Sequence, residues 1–529
     1  MHLVPLTLLA LLWAASACAI AWPNPRVPSR WIVSVPRWIP VTASLAILAT
    51  AAMAIALPQF YTDIDTWIEL FRYRLRREFQ DSLIRSNRPF HYWLEYHGSL
   101  WAEARFGIAP RELRIATTMV SFGGLLAALF ASRRVLFLSS GMRYPIMAAA
   151  TFLISPGGER LLDSWNDHLP LTPFMVAGTA ALLGFHAAPS RCAAVALGAF
   201  AAESALHAAE PWLWGGGVFL LAAAAWRAGD RRHAAHALAL GIAMVAISAA
   251  ILWAVPDRKS DAFRAASTYL QTDFGLAAAR QYWRTQAVGG PWPTFYNRGG
   301  IAAAASLAAF GALCAAVRLA RRGRQPSRPS AWLWPAWTGV AVVYPAIYET
   351  TNPERYWTRA VLWSIMVPKA FAGLAHLARL KRPARSAWSI WNPRVRRAAV
   401  VAGLLAVSAP TVMSVPGLFF RSKQRDVYLE AMPRMTAAIP PDSILVIAPH
   451  GSYFLFAGYL FPGPVRMVEK GERVSDVLAA VRREHPGAPV ATLSGATVRL
   501  MDETSPTIRL IWERDQWDSS ARVHLVEKP

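Results

Sequence analysis

Charged residues are scarce in this chain of 529 amino acids. Only 16% of its residues are Asp, Glu, Lys or Arg, whereas 54% are hydrophobic. A soluble protein of this length needs more polar surface than this composition provides. The scarcity of charge argues against a soluble protein and predicts an all-α polytopic membrane bundle as the main fold.

Cysteine is rarer still, with Cys18, Cys192 and Cys314 each lying in a separate apolar run. Their spacing fits neither a zinc site nor a redox pair, and it provides no disulfide framework. We therefore expect all three to be small buried hydrophobic residues.

Acidic residues are also in deficit, since 32 Asp and Glu face 55 Lys and Arg, giving a net charge of +23. Such a charge is often typical of a nucleic-acid-binding protein. Here much of the arginine lies in short connections between apolar runs, and no separate basic soluble domain is present. Membrane orientation and contact with lipid headgroups explain the charge better, so we expect no nucleic-acid partner.

Long apolar runs are abundant, and about twelve are long enough to be candidates for crossing a bilayer. They are centred near residues 12, 48, 124, 146, 177, 199, 219, 245, 309, 340, 367 and 407. With twelve spans, six arginine-rich connections fall on one side, which the positive-inside rule assigns to the cytoplasm. The loops 58–114, 155–170, 256–298 and 347–358 then lie on the opposite side. Residues 1–21 are expected to remain as an uncleaved span, although Ala17-Cys18-Ala19 looks like a cleavage site.

The composition changes in the last quarter of the chain. Residues 1–416 are predicted to form the transmembrane domain, and residues 417–529 a small soluble α/β domain on the extracytoplasmic side. Within the latter, period-two hydrophobic patterns predict five strands, and Val474 to Glu484 has a helical pattern. The predicted strands are Ser443 to Ala448, Val465 to Glu469, Val490 to Leu493, Thr507 to Trp512 and Arg522 to Val526.

The outer loop 58–114 carries the strongest chemical signal. Asp63 and Asp65 stand one residue apart, directly after an apolar run that ends near Leu57. A carboxylate at a membrane boundary can act as a general base toward a hydroxyl or amine, and a second acid can tune the first or bind a divalent cation. A helix N-cap is the alternative role for Asp63. The segment from Trp67 to Leu83 has the pattern of an amphipathic helix in the headgroup region.

Four segments resemble motifs of the GT-C superfamily of polyprenyl-phosphate-sugar-dependent glycosyltransferases, which includes protein mannosyltransferases and aminoarabinose transferases. They are Tyr61-Thr62-Asp63-Ile64-Asp65, Arg88-Pro89-Phe90-His91-Tyr92-Trp93-Leu94, Arg105-Phe106-Gly107 with the residues to Arg114, and Glu354-Arg355-Tyr356-Trp357. The family's adjacent Asp-Glu is replaced here by Asp-Ile-Asp, so either aspartate is a candidate base. An additional amino-terminal span also precedes the motif.

The resemblance implies a mechanism and a set of site residues. A polyprenyl-phosphate sugar is the donor, an aspartate activates the acceptor, and a single displacement transfers a hexose or pentose with inversion. Cations must then stabilise the departing lipid phosphate. The candidates for this role are Arg355, Arg359, Arg258, Lys259, Arg280, Arg284 and Arg298, and Arg355 is favoured because it lies in a matching motif.

Further candidates surround this proposed site. Asp167, His168 and Glu159 lie in an outer loop and are candidates for binding acceptor or a metal, against the alternative of solvated loop residues. Tyr92, Trp93 and Tyr356 are candidates for stacking on a sugar, against the alternative of interfacial anchoring. The implied partners are membrane lipid, the polyprenyl-phosphate sugar and a glycan, lipid or protein acceptor. The implied location is the bacterial inner membrane, with a divalent cation as a candidate cofactor.

A transporter or flippase of a lipid-linked saccharide is the main alternative function. Transporters commonly show internal repeats and broken helices near the membrane midplane. We find no repeat in this sequence, and the ionisable residues concentrate on one side of the predicted bundle. This asymmetry favours a reaction at the membrane surface.

Overall fold

A computed structural model of the protein describes a set of separate segments of the chain. They are residues 41, 44–45, 104–105, 122–137, 142–153, 171–187, 189–207, 209–254, 330–343, 358, 360–368, 434–447, 461–468, 472–495, 508–515 and 520–526.

Helices dominate the described residues before position 370. Helices α1 to α5 are Phe122–Ala131, Arg133–Phe137, Arg143–Leu153, Leu171–Ala187 and Arg191–His207. Helices α6 to α9 are Ala209–Gly215, Gly217–Arg227, Arg231–Ala254 and Ser330–Thr338, and a π-helical turn, Gly339–Val343, follows α9. Residues 358 and 360–368 belong to helix α10.

Helix α8 is apolar on all sides but packs along a single stripe. Its buried residues recur every three or four positions, which is the spacing of one helix face, and they are small or flexible: Ala234, Ala237, Gly241, Met244 and Ser248. Large apolar side chains such as Leu238, Ile242, Val245 and Trp253 are exposed on the remaining surface. Apolar surface of this extent is expected to face hydrocarbon rather than water.

Close approaches at glycines fix how the helices pair. A Cβ added to Gly178 of α4 would lie 2.7 Å from the Phe200 ring of α5, and one added to Gly241 of α8 would lie 2.6 Å from the Phe219 ring of α7. Turns of three residues connect α4 to α5 and α7 to α8. Each pair is therefore an antiparallel hairpin, packed where a glycine leaves room for a phenylalanine.

A buried tryptophan pair joins helices that are distant in sequence. The rings of Trp214 and Trp337 stack with their centroids 5.2 Å apart. The indole N–H of Trp214 donates to Thr179 Oγ1 at 2.9 Å, and that of Trp337 donates to the Trp214 carbonyl at 3.2 Å. These bonds satisfy both indole groups in the core and tie α4, α6 and α9 together.

The C-terminal part of the chain forms a mixed five-stranded sheet. Its strands β1 to β5 are Ile444–Ile447, Val465–Met467, Val490–Gly495, Ile508–Asp515 and Ser520–Val526, and a helix, α11, Val474–Glu484, lies between β2 and β3. The strand order is β2-β1-β3-β5-β4, with β1 parallel to both of its neighbours and the remaining pairs antiparallel. One face packs on α11, where Ile444, Val446 and Val490 meet Val477 and Val481.

The positions of these C-terminal elements agree with those expected from the sequence. The helix has the predicted bounds, and each strand lies within three residues of its predicted position. Its status as a separate domain with a boundary near residue 417, and its side of the membrane, stay predictions.

The predicted number of spans also stays a prediction. Within the described residues, the helix segment Arg231–Ile251 is the one long and apolar enough to cross a membrane by length and composition, whereas Phe122–Ala131 and Arg191–Ala202 are shorter apolar helices. The runs expected near residues 12, 48, 309 and 407 and the amphipathic segment from Trp67 to Leu83 lie outside the described residues.

Candidate functional site

The arginines of the described helices α1 to α8 all lie at one end of the helical bundle. The rings of His186, near the end of α4, and His233, at the start of α8, are 5.5 Å apart. A Cβ on Gly184 would lie 4.0 Å from the Val135 side chain of α2, which brings α2 to the same end. We call this the arginine end, and its arginines are Arg133, Arg134, Arg143, Arg191, Arg227, Arg231 and Arg232.

The opposite end, here the open end, is defined by the helix termini that point away from these arginines. Helix α3 ends there, α4 begins there and α8 ends there, because each has its other terminus at the arginine end. Helix α9 also runs toward the open end. Leu333, near its start, lies against Gly217 at the start of α7, and the π-helical turn that follows α9 contacts α6. The chain therefore leaves the described helices at the open end before residues 154–170, 255–329 and 344–357.

The candidate site residues of the sequence analysis lie outside the described residues, so their roles stay predictions. They are Asp63, Asp65, Tyr92, Trp93, Glu159, Asp167, His168, Arg258, Lys259, Arg280, Arg284, Arg298, Arg355, Tyr356 and Arg359. Two described helices nevertheless begin or end within a few residues of some of these candidates. Helix α4 begins three residues after His168, and α8 ends four residues before Arg258.

The described residues of helix α10 follow the Glu354-Arg355-Tyr356-Trp357 motif in the sequence, and all of them are buried. Thr358 is 0% exposed and Trp363 is 2% exposed. Thr358 Oγ1 and Trp363 Nε1 have no hydrogen-bond partner within the described part of the chain. Buried polar groups are nearly always paired, so both atoms call for an explanation. Sequence reasoning did not find them, because a threonine or tryptophan in an apolar helix gives no sign of whether its polar atom has a partner.

An apolar cavity lies between α5, α8 and the junction of α6 with α7. It encloses about 430 Å³ including its open mouth, and its walls include Phe200, Trp212 and Phe219. The hydroxyls of Ser204 and Ser248, which also line it, both donate to carbonyls of α5. The described residues that line this cavity include no ionisable side chain, and they present an apolar surface.

Metal binding has no support from the described segments. They contain no group of three or more His, Cys, Asp or Glu side chains suited to hold an ion. The candidate acids for a divalent cation, Glu159 and Asp167, lie beyond those segments, so the cation stays an untested expectation.

Two crystal structures of ArnT from Cupriavidus metallidurans are similar to this chain along nearly its whole length. The apo structure matches with a TM-score of 0.54 at 14% identity, covering 92% of this chain and 97% of that chain. The structure bound to undecaprenyl phosphate matches with a TM-score of 0.56 at 15% identity, covering 93% and 98%. No protein-family model and no curated protein matches the sequence.

The likeness extends over more than nine-tenths of both chains although few residues are identical. It therefore shows shared architecture, and the sequence resemblance is confirmed at that level. The chain has the polytopic membrane fold of the two ArnT structures.

Proposed function

We propose that the protein is an integral-membrane glycosyltransferase that moves a sugar from a polyprenyl-phosphate donor to an acceptor at the open end of the bundle. The observation that carries this proposal is the direction of the described helices. Helices α3, α8 and α9 run toward the open end and α4 begins there, each next to a segment that contains candidate residues. Residues far apart in sequence are thereby available to one site.

The chemistry follows from the residue types in those segments. The carboxylate of Asp63 or Asp65 accepts the proton of an acceptor hydroxyl or amine as its oxygen or nitrogen attacks the anomeric carbon. The bond from that carbon to the phosphate oxygen breaks in the same displacement, which inverts the anomeric centre. Polyprenyl phosphate leaves, and the proton passes from the carboxylate to solvent.

Arginines suit the leaving group because their guanidinium donors pair with phosphate oxygens in fixed geometry. Arg355 and Arg359 frame the start of α10, and Arg258 and Lys259 follow α8. Charge that develops on the departing phosphate is stabilised more strongly at a membrane boundary than in bulk water. The ArnT structure with undecaprenyl phosphate bound supports this class of lipid as the donor carrier.

The extracytoplasmic side of the inner membrane is the proposed location of the open end. Arginines are retained on the cytoplasmic side of membrane proteins, and those of α1 to α8 gather at the opposite end of the bundle. The C-terminal sheet is proposed to lie on the same side as the open end.

The test is a transfer assay with the purified full-length protein in lipid nanodiscs, using a panel of undecaprenyl-phosphate sugars and cell-envelope acceptors. Release of undecaprenyl phosphate and the anomeric configuration of the product are measured. Replacing Asp63→Asn and Asp65→Asn separately should lower turnover by about 10²- to 10⁴-fold in at least one variant.

Asp230→Asn is the matched control, because Asp230 lies at the arginine end and asparagine also caps a helix. It should leave turnover unchanged. Full activity in both Asp63→Asn and Asp65→Asn would remove the proposed base. Transport of an intact lipid-linked saccharide across the bilayer without sugar transfer would favour the flippase instead.

A further inference from the structure

The hairpin of α7 and α8 carries an exposed apolar surface. Phe219 and Trp226 lie seven residues apart, on one side of α7, and both rings meet α8. The Phe219 ring lies against Gly241, and the Arg231 guanidinium carbon lies 6.0 Å from the centroid of the Trp226 ring. Both aromatic side chains are nevertheless exposed. We define the hairpin surface by the exposed large apolar side chains on this side of the hairpin, which are Phe219, Trp226, Leu238, Ile242 and Val245.

The hairpin surface has the length of one bilayer leaflet. On α8 it begins at Arg231, and Leu238, Ile242 and Val245 follow by seven, eleven and fourteen residues, which is the spacing of one helix side. Ile242 is thus about 16.5 Å from Arg231 along the helix axis. Half the hydrocarbon thickness of a bilayer is about 15 Å. With Arg231 at the level of the headgroups, the apolar part reaches to about the bilayer midplane.

Two exposed arginines stand at the end of the hairpin surface. Arg227 ends α7 and Arg231 begins α8, joined by a turn in which Gly229 has a φ of +81°. Neither arginine forms an ion pair with an acid of the described segments. The carboxylate of Asp230, in the same turn, accepts the backbone N–H of His233. The turn therefore presents two guanidinium groups directly beside exposed apolar side chains.

We propose that the hairpin surface binds one anionic phospholipid of the leaflet at the arginine end. The lipid phosphate lies between Arg227 and Arg231, whose guanidinium groups donate to its oxygens. One acyl chain lies along the hairpin surface toward Ile242, and Trp226 lies at the level where amphipathic rings collect in membranes. This binding site is at the opposite end of the bundle from the proposed reaction and does not depend on sugar transfer.

Charge decides among the candidate occupants. Apolar contact does not, because lipid chains are as apolar as the side chains they would cover. A choline headgroup carries a cation next to its phosphate, and two arginines repel that cation, whereas phosphatidylglycerol carries the phosphate charge alone. A second copy of this chain is also disfavoured, since a two-fold axis along the membrane normal would place the arginines of both copies side by side.

The experiment titrates the purified full-length protein in detergent with phosphatidylglycerol and, separately, with phosphatidylcholine of the same acyl chains. Native mass spectrometry counts the bound lipid. The wild type should bind phosphatidylglycerol more tightly. Arg227→Gln combined with Arg231→Gln should weaken that binding about 30-fold, because each cation near an anionic headgroup contributes about fivefold. Binding of phosphatidylcholine should change little. Lysine at both positions should keep most of the affinity, since it keeps the charge.

A matched control removes the same charge from the same end of the bundle. Arg134 and Arg191 are also exposed at the arginine end but lie outside the hairpin. Arg134→Gln combined with Arg191→Gln should leave the affinity for phosphatidylglycerol unchanged. In addition, a phosphatidylglycerol with a photoreactive diazirine in the middle of one acyl chain should cross-link to α7 and α8 of the wild type. The variant of Arg227 and Arg231 should lose this cross-link.

An equal loss of affinity in the two double variants would overturn the assignment, because it would show a diffuse attraction between the arginine end and anionic lipid. Equal affinity of the wild type for the two lipids, or cross-links only to other helices, would overturn it as well. So would a dimer that forms in place of the lipid complex. None of these results would affect the proposed sugar transfer, which is measured by the release of undecaprenyl phosphate.

Discussion

The two ends of the helical bundle differ in how the chain turns at them. At the arginine end, turns of three residues join α4 to α5 and α7 to α8. At the open end a single residue separates α5 from α6, but seventeen residues, 154–170, separate α3 from α4, and α8 ends there before residues 255–329. Short turns hold helices in register but leave little room for a site, whereas long surface segments on a rigid scaffold are where binding and catalytic residues concentrate. The contrast agrees with the proposed function, which places the reaction at the open end.

The largest expected effect concerns which compartment each end faces. In a protein with Cys18, Cys192 and Cys314 replaced by alanine, a single cysteine would be introduced as Ser260→Cys, just after α8, or as Ala228→Cys, at the exposed turn of the arginine end. A membrane-impermeant maleimide on intact spheroplasts should label the first variant and not the second. Permeabilised membranes should allow labelling of both.

Labelling of both positions from the outside, or of Ala228→Cys alone, would contradict the orientation proposed for the bundle. Expression of each variant is checked on denatured samples, where both cysteines should react equally.

A smaller effect is expected for phosphate binding by arginines of the two ends. Arg355→Ala should weaken the binding of undecaprenyl phosphate about 10- to 100-fold, because it removes charge-assisted hydrogen bonds to the phosphate. Arg231→Ala should leave that affinity unchanged, since Arg231 lies at the arginine end near the Trp226 ring. Titration of both variants in nanodiscs is the measurement. An equal loss in both would show a general attraction to anionic lipid rather than a site.

The smallest effect is one of stability and belongs to the arginine end. The Asp230 carboxylate accepts the backbone N–H of His233 at 3.0 Å and so caps the first turn of α8. Asp230→Ala should lower the free energy of unfolding by about 1 kcal/mol, whereas Asp230→Asn should keep most of it. Thermal unfolding in nanodiscs measures the difference. Transfer activity per folded molecule should not change. A loss of activity would contradict the proposal that the reaction takes place at the open end.

The elements of this fold could be located from sequence because their signals are local. The period-two patterns and the helical pattern of Val474–Glu484 depend only on neighbouring residues, and the structure has strands and a helix at those positions. The order of the strands could not be obtained in this way, since a pattern within one strand does not identify its partner. Ala234, Ala237, Gly241, Met244 and Ser248 form a detectable stripe, but the uniform apolarity of α8 obscured it.

For the candidate site, too, sequence could identify some features and not others. Charge-bearing motifs such as Asp63 with Asp65, and Arg355, could be proposed because their residue types suit the chemistry and resemble a known pattern. The unpartnered hydroxyl of Thr358 within the described residues could not be found in this way, because whether a buried hydroxyl has a partner depends on atoms from several helices. The division of this stretch into α6 and α7 at Gly216 was missed for a comparable reason, because the apolar run continues through it.

The bond from the Trp337 indole to the Trp214 carbonyl joins residues 123 positions apart. A ribosome adding about 5 to 20 residues each second needs roughly 6 to 25 seconds to make the intervening chain. During that interval the seven-residue α6 is present without its later partner. Biogenesis of this protein therefore includes an interval in which α4 and α5, which contact α6, hold this short helix until the second tryptophan is made.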